Sequence, residues 1–371
     1  MGNLKKEMGN ESTKNQKKEE VIEEKDKETK EIEKPKVVKL TEWIETKKAI
    51  ISLGRAKKEE KSPASILVSD PWLFRMFYEI AILPIRSDKI LVCGGNSGRS
   101  AFRTAEIFDI GKSEWRKIQD MPELIPFATA VVCCDYVFVF GGQSLFPIKY
   151  FSLETSEWRE MDIPGKSMRN TEVAVVGDKV FIIDAQTREK NNAIEVVNVK
   201  SMHWEKSGIF SPVPTPRTNH GVAVIGHRIF CIGGVYKGRS MSVVEVLDVD
   251  SGIWSTLPPM PTARSQMGIT VLNGNQIWVI GGYDSNYEYD LRVIEVYDVE
   301  KFEWKSFSVE LTSPRNGLRA LTLDGNIWVI GGNVSGQKPE RNIEILDPQT
   351  GKWSKGPEMM IQRSWQGTVH F

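Results

Sequence analysis

Residues Ile277-Trp-Val-Ile-Gly-Gly282, then Glu295-Val-Tyr-Asp298, then Trp304, hold the pattern that decides the fold. An apolar run ends in two glycines, a Glu-to-Asp run follows, and a tryptophan comes six residues after the aspartate. The glycine pair recurs at Gly94-Gly95, Gly141-Gly142, Gly233-Gly234 and Gly331-Gly332, and the tryptophan at Trp115, Trp158, Trp204, Trp254 and Trp353. Counting the starting unit, five pairs stand against six tryptophans, and Asp184-Ala185 occupies the place of the missing pair. Successive pairs lie 43 to 50 residues apart, and self-similarity at such a period outranks any local signal.

Four short strands fit each unit. Strand A is small and β-branched, as in Gly221-Val-Ala-Val-Ile225, and strand B is the run ending in the glycines. Strand C carries the Glu-to-Asp run, and strand D begins at the tryptophan. The gap from strand C to the tryptophan is six residues in every unit, whereas the gap from the glycines to strand C varies. A constant gap marks a hairpin of fixed register, since a one-residue slip turns every side chain to the wrong face. Variable gaps mark loops free to carry function. The glycines suit positive φ or close backbone approach, and each tryptophan is a large apolar anchor between neighbouring units. One four-stranded sheet cannot bury both faces, so copies must stack, and at this period they make a β-propeller.

These residues closely resemble the kelch repeat over residues 88–371. The reading is therefore an all-β, six-bladed kelch-type β-propeller with four antiparallel strands per blade, occupying 79–371. Two departures stand out: Asp184-Ala185 replaces a glycine pair, and Lys149-Tyr-Phe-Ser152 replaces the strand-C run of the second unit. Both units keep spacing and tryptophan and should still form blades. Strand A of the first blade has two candidates. Arg363-Ser364-Trp-Gln-Gly367 and the residues to Phe371 repeat the pattern of Arg264-Ser265-Gln-Met-Gly268, and the segment 79–85 is the alternative.

The 49 basic and 49 acidic residues cancel, which gives no global attraction to nucleic acid or membrane. Cys93, Cys133, Cys134 and Cys231 lack metal or redox spacing and read as reduced, buried thiols of a cytoplasmic protein. Residues 1–36 are charged with little to bury and read as a disordered arm. Residues 37–78 read as a linker, with an amphipathic stretch from Leu40 to Leu53. Met1-Gly2-Asn3 starts a myristoylation pattern but has Lys6 where Ser or Thr is wanted, so a membrane enters only through acylated Gly2.

The resemblance places the D–A and B–C loops on one face around a central channel. Arg169, Arg217, Arg264-Ser265, Arg315-Asn316 and Arg363-Ser364 precede strand A, and the second unit offers Ile125-Pro126-Phe127 instead. As free guanidiniums these would form a basic collar for carboxylates or phosphates. As structural groups they would pair within the ring. Arg99, Tyr236 and Tyr283, with Asn96, Gln143 and Asn333, come from the B–C loops and add interface-type residues. None of the histidines, His203, His220, His227 and His370, has metal-ligand spacing, and no nucleophile or phosphate-binding motif occurs. The expected function is non-catalytic binding of a protein partner, with an acidic peptide suited to the collar, and no cofactor. The family also implies two alternatives: a substrate receptor recruited to a ubiquitin ligase by a separate partner, since the arm is too short and polar for a BTB domain, and an enzyme of epimerase or oxidase type at the channel mouth.

Overall fold

Each apolar run pairs with the next in chain order, so every repeat closes as one antiparallel sheet of four strands. The computed structural model describes residues 88–98, 100–141, 148–161, 171–183, 194–205, 208–334 and 338–371. These belong to one unit, Pro84–Phe371. The expectations for 1–36, 37–78, 79–85 and Gly2, and for Arg99, Gly142, Gln143, Arg169 and Asp184-Ala185, lie outside the described residues. There are six four-stranded sheets, and strand A of each packs against strand A of the next until the circle closes. The protein is a six-bladed, all-β propeller.

Stacking explains why strand B is apolar at consecutive positions. In the first blade Lys89–Cys93 sends Ile90 and Val92 against Leu323 and Ile330 of the sixth blade. Leu91 and Cys93 point the other way, against Val137 and Val139 of the second. Both faces are buried, so the polar alternation of a half-exposed strand disappears.

The fixed six-residue gap corresponds to one register in all six blades. Each tryptophan pairs with the penultimate residue of the strand-C run: Phe108 with Trp115, Leu247 with Trp254, Tyr297 with Trp304. The tryptophans bridge blades, but they are half-buried rather than buried as the sequence suggested. Strand D is the outermost strand, so one side of the indole meets solvent. The anchor is partly polar instead: Trp158 Nε1 donates to the carbonyl of Gln119, and Trp304 Nε1 to that of Pro258, both at 2.8 Å on the preceding blade.

The first blade takes its strand A from the chain's end. Gly367–His370 pairs antiparallel with Lys89–Cys93, Cys93 opposite Gly367 and Ile90 opposite His370. The second blade forms with Lys149 in strand C opposite Val139, and the third with Glu195 opposite Ile182. Of the cysteines, Cys93, Cys133 and Cys231 are buried, while Cys134 is exposed, because strand A of its blade ends at Cys133 and Cys134 turns the chain at φ 54°. All four thiols are free. Among the described residues no helix is long and apolar enough to cross a membrane.

Candidate functional site

The loops entering strand A carry the arginines, and the structure turns four of them inward. Arg217, Arg264, Arg315 and Arg363 are at most 2% exposed. Each reaches the strand-C glutamate of its own blade: Arg264 to Glu295 at 2.8 Å, Arg315 to Glu344 at 2.9 Å and Arg363 to Glu106 at 2.8 Å, with Arg217 on Glu245 in the same way. Arg264 also donates to the carbonyls of Gly281 and Val293, at 3.1 and 2.9 Å. Arg217 and Arg363 make the equivalent bonds to Gly233 and Val243, and to Gly94 and Thr104. One guanidinium thus ties the D–A loop, the end of strand B and the start of strand C. Burial pushes the Arg217, Arg264 and Arg363 pKa values down and that of Glu106 up, since both ions have left water. The collar of free guanidiniums does not describe these four residues. Ser265, Ser364 and Asn316 are buried beside them, Asn316 donating to Asp290 at 2.6 Å.

The glycine pairs meet the same loops from the next blade. Gly282 N donates to the Arg315 carbonyl at 2.9 Å, and a Cβ on Gly281, at φ 57°, would stand 2.8 Å from that oxygen. Only glycine allows both the conformation and the approach.

Two residues beyond each arginine the backbone becomes left-handed. Asn219, Gln266, Gly317 and Trp365 have φ of 53°, 55°, 61° and 49°, and Phe127 in the second blade has 52°. For the non-glycine residues such a conformation costs about 1–3 kcal/mol and persists only where the surroundings hold it. A blade-to-blade chain of bonds holds it here. Gln266 N donates to Asn219 O, Gly317 N to Gln266 O, Trp365 N to Gly317 O and Ala128 N to Trp365 O, at 2.8–3.0 Å. Gly317 has no side chain because the Trp365 indole lies over it; an added Cβ would come within 2.8 Å of the ring.

These turns rim an open recess at the channel, and residues from all six blades line it. Phe127 and Trp365 touch, ring centroids 5.4 Å apart. Deeper lie His220, Met267 and Leu318, and the wall includes Thr171, Glu172 and Arg319. Arg319 reaches from the sixth blade to both carboxylate oxygens of Glu172 in the third, at 3.4 Å, and donates to the carbonyls of Gln366 and Ala128 at 3.0 and 2.9 Å. The charged groups of the recess therefore neutralise each other.

The family description "KLHDC2/KLHL20/DRC7 Kelch-repeats domain" matches residues 75–234 and 128–314, and "Kelch motif" matches 314–360. The chain belongs to the kelch-repeat family. It is 24% identical over 243 residues to Kelch-like protein 26 of Danio rerio, covering 61% of this chain and 39% of the relative. It is 23% identical over 312 residues to Kelch domain-containing protein 2 of Bos taurus, 71% and 75% of the two chains. It is 30% identical over 161 residues to N-(sulfonatooxy)prop-2-enimidothioate sulfolyase of Thlaspi arvense, 39% and 45%. This kelch chain thus spans less than half of the first and third of these relatives.

On the same loops of the kelch propeller, Tyr236 is 39% exposed while Tyr283 is half-buried, its backbone bridged to Ser265. Tyr287 and Tyr289, 75% and 47% exposed, lie on the long fifth B–C loop, one of the variable loops that the sequence marks as free to carry function. Phe127, Gln266, Trp365, Glu172 and Arg319 carry no common residue type; the first three lie two residues before strand A and the last two open it. His220 is buried in the recess, His370 lies in the closing strand, and His203 and His227 are exposed, the latter 2.9 Å from Asp250.

Burial, with the Arg217 charge second, pushes the His220 pKa from 6.5 down to about 3. The unfolded chain then takes up this proton before the folded one does. Stability from this group is present above pH 6.5 and is lost as pH falls toward 3, at up to about 1.4 kcal/mol per unit. Between pH 7 and 5 it should cost about 2 kcal/mol. Urea midpoints at the two pH values should converge by that amount in His220→Gln; an undiminished drop would mean that His220 is not the group.

Proposed function

We propose that this chain is a protein-binding propeller that meets its partner on the face of the D–A and B–C loops. The observation that carries this is a built tyrosine platform. The B–C loops of the fourth and fifth blades form two short ribbons, Val235–Tyr236 with Arg239–Ser240 and Tyr283–Asp284 with Tyr289–Asp290. Serines lace them together: Ser285 N donates to Ser240 Oγ at 2.8 Å, Ser285 Oγ to the Gly238 carbonyl at 3.0 Å, and Asn286 Nδ2 to the Ser240 carbonyl at 3.1 Å. Bridges from Val235 to Thr218 and from Tyr283 to Ser265 fasten the ribbons to the arginine loops. On this braced base Tyr236, Tyr287 and Tyr289 stand exposed, with Lys237 over the Tyr236 ring at 5.3 Å. Tyrosines presented rigidly lose little entropy on binding and are typical interface anchors. The exposed cations here are Lys237 and Arg239, so an acidic partner segment would be met by these rather than by the buried arginines.

The test is quantitative affinity capture with the full chain and two variants. Tyr236→Ala/Tyr287→Ala/Tyr289→Ala should lose a prey that the wild type retains. Ile253→Ala, on the exposed outer strand of the fourth blade, should keep it. The recovered partner should bind the triple variant at least about tenfold more weakly. Identical prey in all three captures would overturn the reading.

A further inference from the structure

The channel recess holds an unexplained set of polar atoms. Thr171 Oγ1, His220 Nδ1, His220 Nε2 and Trp365 Nε1 are buried without a hydrogen-bond partner, and all three residues line the recess. Thr171 and His220 are only 2% and 3% exposed. Buried polar atoms are nearly always satisfied, so four orphans on one cavity indicate an occupant.

The chemistry of the set limits that occupant. Trp365 Nε1 only donates, and a neutral imidazole donates through one nitrogen and accepts through the other. The Thr171 hydroxyl does either. His220 is neutral at working pH, because its pKa is held near 3. Arg319 is engaged with Glu172, so the cavity offers no free cation to compensate an anion leaving water. Cations fare no better, since the Glu172 carboxylate already accepts from Arg319 and from Thr129 Oγ1 at 3.1 Å. What fits is a small uncharged group that accepts and donates at once. A primary carboxamide does so on adjacent atoms, with its carbonyl toward Trp365 or Thr171 and its NH2 toward the accepting nitrogen of His220.

We propose that the channel mouth is a socket for one asparagine or glutamine side chain of a protein partner. Its place within the ring of D–A loops, bounded by Phe127 and Trp365, suits a side chain inserted from that face. That the carboxamide comes from a protein rests on the loop-face reading above; the chemistry of the socket does not.

Three probes separate the chemistries: acetamide, acetate of nearly the same shape, and the bulkier N,N-dimethylacetamide, which keeps the carbonyl and loses both N–H donors. The reporter is the Trp365 indole N–H resonance of the full chain, one of 11 tryptophans, assigned through Trp365→Phe. Acetamide should move it saturably in the millimolar range, and Thr171→Val should weaken the effect severalfold while leaving the fold intact. Acetate and N,N-dimethylacetamide should leave it in place, the first for its charge and the second for its lost donors. An equal or stronger response to acetate would make this an anion site, and an equal response to N,N-dimethylacetamide an apolar one. No response to any probe would make it a water pocket. Each of these overturns the proposal. Because the probes never touch the tyrosine platform, a failed capture experiment and a failed titration remain distinguishable.

Discussion

Removal of residues 367–371 is expected to destroy the propeller's cooperative unfolding at physiological temperature. The strand Gly367–His370 completes the first blade, and Phe371 adds two bonds to Lys89, at 3.1 and 2.9 Å. Without it, strand B of that blade becomes an unpaired edge in the most buried part of the ring, where Ile90, Leu91, Val92 and Cys93 are fully buried. The side chain of Val369 alone accounts for about 1.5–3 kcal/mol, and several backbone bonds add about 0.5–1.5 kcal/mol each. The loss is on the order of 5 kcal/mol or more, comparable to the whole stability of an ordinary domain. The strand also packs on strand A of the second blade, so both halves of the junction open together. Thermal unfolding should show either no transition or one lowered by more than about 10 °C. A peptide of residues 363–371 added in trans should raise it again by mass action. An unchanged melting temperature would mean that closure of the ring through the chain's end contributes little.

The fold was legible because its determinants repeat. Six copies of one hairpin spacing leave little freedom, and the Arg-x-x-x-Gly run before the last strand made the chain's end one of two candidates for the closing strand, between which the pairing of Gly367–His370 with Lys89–Cys93 decides. Two irregularities that looked unrelated turn out to be one. The second blade has Ile125 where four others have arginine, four residues before strand A, and Lys149 where the others have glutamate. In this blade both members of the arginine–glutamate pair are absent, and Lys149 pairs with Glu160 and Glu123 at 2.7 and 3.4 Å instead. The third blade differs: Arg169 stands three residues before its strand A and not four, with Met168 in the arginine phase, while Glu195 is retained in strand C. The candidate site was harder to see for a related reason. A search for one residue type at equivalent positions finds scaffold, as it found the buried arginines. The rim positions are equivalent in backbone but differ in chemistry: Phe127, Asn219, Gln266, Gly317 and Trp365. Nothing in a phenylalanine or tryptophan announces positive φ, and no short pattern pairs Arg319 with Glu172 across the channel.

Loss of one arginine from its glutamate should cost more than any surface change. Arg264→Met would leave the Glu295 carboxylate, 1% exposed, with Thr262 Oγ1 at 2.6 Å but without its counter-ion, would take the Arg264 bond from the Gly281 carbonyl, and would leave the Val293 carbonyl with Gly281 N alone, at 3.1 Å. Breaking a buried ion pair from one side typically costs about 3–5 kcal/mol. Removing both charges avoids the stranded ion. Arg264→Met/Glu295→Leu should therefore be no less stable than Arg264→Met, although it stays below wild type by about 1–3 kcal/mol for the Gly281 carbonyl left without its donor. Urea unfolding of the four proteins closes a double-mutant cycle, and the coupling should be large and favourable to the pair. Costs that simply add would show that Arg264 acts through its carbonyl bonds alone. The second blade is nature's version of the double change, with Ile125 and Lys149 in the two positions, and it still forms all four strands. That blade shows what the pair is for: it is one interchangeable way to hold the D–A loop, which frees the residues just beyond it, on the channel rim, to differ from blade to blade.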